Sequence, residues 1–355
     1  MNETPSNITI AKKRDMKTIL LWNTYFGDPN FSIGQLGTAV FDQTRCPHTC
    51  YLTKDRSELS QADAVLVHTF NMAPWRQNSG IPPRTNSRQI FVFYITESPL
   101  KSYKGFFQVN FNFSDIFNLT FTYLHSPMTD VYAPLGGIKK KNRSSKFTPI
   151  SFDDIKKKTK MVAWFVSNCH PPSARMQYAK HLSRYVDVDV FGKCGKLTCL
   201  KTNKTCTNYV SKTYKFYLAF ENSFCRDYAT EKVFRSLERQ MVPIVYGYVN
   251  YSDILPPKSY IDVRDYDSPK TLGKFLKELS RNRKKYGEYF NWKGHYKILK
   301  KKSYRVVGFC RLCSILHNTG YQYKTNFDPV HDYWNPKKLC LTGKKEKLAV
   351  HLRDN

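Results

Sequence analysis

Short apolar runs alternate with polar and amphipathic stretches along this chain. Runs over 18–22, 64–68, 90–95, 161–166, 186–191, 216–220, 242–246 and 260–263 read as strands. They are continuous rather than alternating and rich in Val, Ile, Phe and Tyr, the pattern of strands covered on both faces. Helical spacing of apolar positions appears over 173–184, 231–240 and 269–281, between the later strands. Strand–helix–strand alternation predicts βαβ units and parallel sheets, an α/β fold. Residues 139–160 are basic and polar, without a hydrophobic period. The expected division is a disordered lead over 1–16, a domain over 17–145, a linker over 146–160 and a second domain over 161–345. No internal repeat is present.

One junction concentrates polarity. The strand 216–220 runs into "FENSFCRDYATEK" (220–232), and a helix follows. Ligands of open α/β sheets bind beyond the carboxyl ends of the strands. Backbone N–H groups at a helix start attract anions. Glu231 suits that first turn, whereas Lys232 does not unless an anion lies nearby; a phosphate would supply one. The plainer reading is a solvated helix start with an ordinary Glu–Lys pair. A second candidate follows the strand 161–166, where "SNCHPPSAR" brings Arg175 into the start of a helix. There its guanidinium could fork onto a phosphate, or lie idle at the surface. The chain has no G-x-G-x-x-G and no G-x-x-x-x-G-K-[ST], so side chains and helix ends must hold any nucleotide.

Composition adds two constraints. The 355 residues are 41% apolar and 15% aromatic, which supports buried cores rather than disorder. Lys and Arg number 57 against 28 acidic residues, a net charge of +29. The basic residues are spread along the chain apart from short clusters at 139–141, 156–158 and 300–302. Zinc-finger spacing, a basic helix running into heptads and an aromatic RNA-binding signature are all missing. A basic surface suited to anionic membranes, acidic glycans or a phosphorylated ligand is therefore favoured over nucleic-acid binding.

The ten cysteines lack the paired spacing of a zinc ribbon. N-x-[ST] occurs at Asn2, Asn7, Asn30, Asn112, Asn118, Asn142, Asn203 and Asn250. Chance would give about three such triplets. The excess, with the cysteines, predicts a secretory lumen where disulfides persist and Asn is glycosylated. Cys310-Arg-Leu-Cys313 then belongs to a disulfide framework, not a redox pair. Residues 1–15 are polar, the run 18–22 is too short to span a bilayer, and neither signal peptide nor anchor is visible.

Several ordered blocks resemble the α1,3-fucosyltransferases, glycosyltransferase family ten. "YKFYLAFENSFCRDYATEKVFRSLERQMVPIVYG" (214–247) is similar to the family's donor-binding signature, and "WFVSNCHPPSARMQYAKHLSRYVDVDVFGKCG" (164–195) to the block before it. "ILLWNTYFG", "LTKDRSELSQADAVLVH" and "ITESP" resemble its amino-terminal half in order, and "YRVVGFCRLC" its carboxyl end. The resemblance spans roughly residues 18–315. It implies the GT-B fold, two Rossmann-like domains facing each other across a cleft, with GDP-fucose as donor. It also implies roles. Arg175 and Lys232 would bind the diphosphate, Glu231 the ribose and Tyr228 the nucleotide pocket. Glu221 and Asn222 would shape the fucose end, and Glu97 would be the general base.

By the same resemblance the acceptor is a glycan on glycoproteins and the compartment is the Golgi lumen. No metal is essential, with Mn2+ or another divalent ion an optional stimulant. The family's membrane anchor is not visible here. Two places depart from the family. "TYLHSPMTDVYAPLGG" (122–137) has Leu124 where the family has Arg, and "SPLKSYKGF" lacks the usual His after Glu97. Both bear on the acceptor side, so a catalytically silent homologue that binds GDP or glycan stands as the alternative.

Overall fold

The computed structural model describes residues 16–42, 46–70, 80–102, 116–142, 150–200, 203–299, 301–323 and 333–341. The expected lead over 1–16 lies outside these but for Met16. The chain divides into two compact units, each built on its own parallel sheet.

The first unit holds β1 (Thr18–Leu21), β2 (Tyr51–Thr53), β3 (Ala64–His68), β4 (Ile90–Ile95), β5 (Leu119–Thr122) and β6 (Val131–Tyr132). Their order is β2-β1-β3-β4-β5-β6, and every pairing is parallel. The chain leaves β1 toward one edge and β3 toward the other, so the winding reverses between these two strands. In β3, Ala64 and Leu66 enter the main core of the unit while Val65 and Val67 are buried on the opposite face. The strands β2, β5 and β6 were not expected. β5 reads Leu-Thr-Phe-Thr, which suggests a wet face, yet Thr120 and Thr122 are fully buried. Thr120 Oγ1 is hydrogen-bonded to Met128 O at 2.8 Å, so burial leaves its hydroxyl satisfied.

The second unit opens with β7 (Ile138–Lys140), which pairs antiparallel with β13 (Tyr296–Ile298). Its main sheet holds β8 (Lys160–Phe165), β9 (Val188–Phe191), β10 (Tyr214–Phe220), β11 (Val242–Tyr246) and β12 (Ile261–Asp262). The order is β12-β11-β10-β8-β9, with the reversal between β8 and β10. The helices are α1 (Phe152–Lys157), α2 (Arg175–Leu182), α3 (Lys204–Thr213), α4 (Glu231–Glu238), α5 (Pro269–Arg281) and α6 (Arg283–Glu288). β10 shows the two-sided burial expected from its apolar run. Phe216, Leu218 and Phe220 pack with Trp164, Tyr178 and Leu276, while Tyr217 and Ala219 face Val233 and Leu237. α5 begins at a Ser268–Thr271 capping box with Pro269 in first position, and buries Leu272, Leu276 and Leu279 along one stripe.

The unit boundaries differ from the expected ones in three respects. The first stretch of the first unit ends at Leu135, so residues 136–145 belong to the second. α1 lies inside the expected linker, with Ile155 buried in the second core because it supplies that core with an apolar anchor. More consequentially, the chain returns to the first unit over Lys300–Leu339. There α7 (Lys301–His317) buries Val306, Phe309, Leu312, Ile315 and Leu316 in the first core. Cys310 and Cys313, three apart on one helical face, bond to Cys46 and Cys50 across separations of 264 and 263 residues. The Cys-x-x-Cys is thus a framework element. The remaining cysteines pair as Cys169–Cys194, Cys199–Cys206 and Cys225–Cys340, leaving no free thiol.

Among the sequons, Asn142, Asn203 and Asn250 are exposed, Asn30 and Asn118 are half-buried, and Asn2, Asn7 and Asn112 lie outside the described residues. No described helix is long and apolar enough to cross a membrane.

Candidate active site

In the second unit the site grows from the end of β10. Glu221, the next residue, stays in the ladder and donates its N–H to Tyr246 O at 3.0 Å. Its side chain is 1% exposed. Oε1 accepts from Thr230 N at 2.8 Å and from the Thr230 hydroxyl at 3.0 Å. Oε2 receives the Lys232 ammonium at 2.7 Å, and Lys232 also donates to Thr230 Oγ1 at 2.6 Å. A buried carboxylate is costly unless paired and hydrogen-bonded, and the start of α4 meets both conditions. Thr230 is the N-cap residue of α4, yet its hydroxyl turns to Glu221 instead of capping the helix.

The anion that Lys232 needs is therefore supplied by the chain itself. Burial works against the charge of Lys232, but Glu221 and then Glu231 outweigh it, and its pKa is raised. Gly247 is what lets this arrangement close. A Cβ there would stand 2.6 Å from Tyr251 Oη and 3.4 Å from Glu221 Cγ. The Tyr251 hydroxyl is buried without a hydrogen-bond partner among the described residues, and so is Asn222 Oδ1. Burial, reinforced by Glu221, pushes the Tyr251 phenol well up, so it stays protonated.

Arg175 reaches the same place from β8. It opens α2 after Ala174, whose φ is 51°, and is 4% exposed, so it is not an idle surface arginine. Nη1 donates to Phe220 O at 2.8 Å and Nη2 to Asn168 O at 3.3 Å. Ser173 adds Oγ to Glu221 O at 2.8 Å and N to Asn222 O at 3.2 Å. The loops after β8 and β10 are thus stitched together where the winding reverses, the place where open α/β sheets bind ligands. From the far side, Cys225–Cys340 and a Leu341 N–H to Phe224 O bond of 2.8 Å pin the loop.

Of the expected donor residues, Arg175, Glu221, Asn222 and Lys232 are brought together. Tyr228 is buried nearby, with its N–H on Cys225 O at 3.1 Å. Glu231, half-buried beside Lys232 and felt by it, lies 3.8 Å from Arg235. Sequence reading missed Thr230, Ser173, Gly247 and Tyr251. Thr230 had a signal, a Thr directly before a helix start. The others had none, because they meet the site only through the sheet.

Glu97 belongs to the first unit, two residues beyond β4 and half-buried, with Ser98 N on Oε1 at 2.9 Å. Beside it, Thr96 Oγ1 shares a 2.8 Å hydrogen bond with Tyr25 Oη. Leu124 is buried, and Tyr123 packs edge-on to Trp334 at 5.5 Å, so this departure from the family is absorbed as core.

His68 ends β3, fully buried among Tyr25, Phe26, Phe31 and Tyr94. Its Nδ1–H donates to Thr24 O at 3.0 Å. Burial, aided by Arg305, lowers its pKa from 6.5 to about 4 despite the Thr24 bond. The native state binds its proton later than the unfolded state. The stability from neutral His68 is thus full above pH 6.5 and lost as pH falls toward 4. Between pH 7.5 and 5 this group is expected to remove about 2 kcal/mol. Urea unfolding at those pH values checks it, and His68→Gln should flatten that dependence.

Among the described residues, the His, Cys, Asp or Glu group close enough to share a metal ion is Cys50, Cys313 and His317, and its two cysteines are bonded to each other.

Comparison with known proteins matches this geometry to one family. Residues 155–333 fit the family described as glycosyltransferase family 10 (fucosyltransferase), C-terminal, and residues 14–136 fit fucosyltransferase, N-terminal. The chain is 32% identical over 341 residues to Alpha-(1,3)-fucosyltransferase C of Drosophila melanogaster, covering 90% of this chain and 77% of that protein. It is 34% identical over 339 residues to Glycoprotein 3-alpha-L-fucosyltransferase A of the same organism, covering 94% of this chain and 63% of that one. A crystal structure of an α1,3-fucosyltransferase with GDP-fucose superposes with a TM-score of 0.54 at 18% identity, covering 86% of this chain and 92% of that one, and shares the GT-B fold. Two parallel sheets, a buried ion pair at the reversal of the second, and family matches over both halves place the chain in glycosyltransferase family 10, the fucosyltransferases.

Proposed function

We propose that this chain is an inverting α1,3-fucosyltransferase that moves L-fucose from GDP-β-L-fucose to a GlcNAc of glycoprotein N-glycans. The observation that carries the reading is the Glu221–Thr230–Lys232 cluster, stitched to Arg175 at the reversal of the second sheet. The relatives' names support the linkage, and the solved structure with GDP-fucose supports the donor.

The chemistry follows from what these groups can do. An ammonium has three donors, and Lys232 spends two on Glu221 and Thr230. The third is left for a phosphate oxygen, on a side chain already held in place. Arg175 adds positive charge close enough to be felt at Lys232. When the bond from fucose C1 to the β-phosphate oxygen breaks, GDP keeps the electron pair. Lys232, Arg175 and the start of α4 stabilise that charge. The acceptor oxygen bonds to C1 from the opposite side and passes its proton to Glu97. One displacement inverts the anomeric centre, giving an α-fucoside. In this scheme Glu231 holds the ribose, Tyr228 lines the nucleotide pocket and Asn222 borders the fucose. These cations do the work of a metal, so Mn2+ is at most a stimulant. Five disulfides and exposed sequons support a Golgi-luminal setting.

The test is GDP-fucose turnover with a free chitobiose-core N-glycan, with N-acetyllactosamine and without acceptor. An α-linked fucosylated product from one glycan is expected. GDP binding with no product from either glycan would favour the silent homologue.

A further inference from the structure

The loop after β1 carries an aromatic side chain where steric rules disfavour one. Tyr25 and Asp28 exchange backbone hydrogen bonds of 2.9 and 3.0 Å, closing a two-residue turn over Phe26 and Gly27. Phe26 has φ 49° and Gly27 φ 86°. Positive φ at both central positions favours Asn, Asp or Gly, and a bulky residue there is strained. Burial does not offset this strain, because Phe26 stays 43% exposed. Backbone strain of this kind collects at functional sites.

The ring is held firmly. It lies 4.8 Å from Tyr25, 4.8 Å from His68 and 4.7 Å from Phe70, centroid to centroid. His68 closes β3 and Phe70 follows it, so Phe26 bridges the loops after β1 and β3. That is the winding reversal of the first sheet, its expected ligand crevice. A cavity of about 350 Å³ opens beside the turn. Thr24 and Pro29 line it from either side of the turn, together with Trp22, Asn23, Lys54 and Arg56. The Arg56 guanidinium lies 4.3 Å from the centre of the Trp22 ring. An exposed aromatic ring at the tip of a loop whose flanks line a cavity edged with polar groups suits a sugar, which has an apolar ring face and a rim of hydroxyls.

We infer that Phe26 and this cavity form a subsite for a pyranose of the acceptor glycan, next to the sugar that receives fucose. The assignment rests on the proposed function, which puts the reacting hydroxyl at Glu97. Glu97 follows β4, Phe26 lies over β1 and β3, and the cavity is lined by residues that follow β1 and β2. Phe26 is thus one or two strand spacings of about 5 Å from the strand of Glu97, the span of one or two sugar rings, and the cavity lies one spacing further out. Tyr25 links the two places through its bond to Thr96. Phe26 is thus a positioning and specificity residue.

The test uses Phe26→Asn, which removes the ring and suits the turn better. Saturation-transfer NMR on the GDP-saturated protein, with the free N-glycan core pentasaccharide and with N-acetyllactosamine, reads binding without turnover. Thermal unfolding reads the turn. Expected are an unchanged or higher Tm, an unchanged GDP affinity, and loss of the glycan signal. In turnover, the acceptor KM rises about tenfold with kcat held, and Phe26→Tyr restores it. Equal glycan binding by wild type and Phe26→Asn, or no glycan binding by wild type, overturns the subsite. Glycan binding that depends on Phe26 in a protein that transfers no fucose overturns the proposed function alone.

Discussion

Glu97→Gln is expected to lower kcat about a thousandfold while leaving GDP affinity and Tm unchanged, since a positioned general base contributes roughly 10²–10⁴ in rate. The amide oxygen of Gln can still accept from Ser98 N, which now reaches Glu97 Oε1 at 2.9 Å. The side chain is only half-buried, so its neutralisation leaves no orphaned charge in a core. The groups assigned to the donor belong to the other unit, and their internal bonds do not involve residue 97. Rate and GDP titration together check this. Turnover above a tenth of wild type would place the base elsewhere.

Lys232→Met should act on folding and donor binding together. Glu221 would keep the Thr230 bonds but lose its counter-charge while 1% exposed. Breaking a buried pair from one side costs about 3–5 kcal/mol. For a chain of 355 residues that corresponds to a Tm fall of roughly 5 °C. In the wild type the raised pKa of Lys232 keeps this contribution full below pH 10.5 and lets it go only as pH climbs past that value. Because folding alone could explain lost activity, the informative protein is the double variant Lys232→Met/Glu221→Gln. Neutralising both partners removes the uncompensated charge and should recover most of the stability. Donor kcat/KM should stay down by about 10- to 100-fold, the worth of one hydrogen bond to a charged group. A double variant that binds GDP as well as wild type would reduce Lys232 to a structural role.

These outcomes bear on the loop 220–232, whose crowd of charges has a physical explanation. Glu221 and Lys232 neutralise each other, Glu231 faces Arg235, and Arg226 lies 3.5 Å from Asp227. The pairing ties the start of α4 to the end of β10.

What the linear chain determined is local. Continuous runs of Val, Ile, Phe and Tyr marked the central strands of both sheets, because burial on both faces removes the need for alternation. The spacing of apolar positions over 269–281 marked α5, since a helical period acts within a few residues. The polar junction after Phe220 and the Arg175 block were legible for the same reason, and the family resemblance gave them roles. Tertiary structure decided everything that depends on strand order. Arg175 meets Phe220 because β8 and β10 are neighbours, a pairing that bridges more than forty residues. Lys232 takes its anion from Glu221 for the same reason that Thr230 abandons its cap, namely that a buried carboxylate must be satisfied. The return of α7 to the first unit, and its two disulfides, depend on chain segments more than 260 residues apart. No local propensity carries information over that distance. Phe26 is the sharpest case, since its backbone conformation runs against its own propensity and only the reversal between β1 and β3 gives it a purpose.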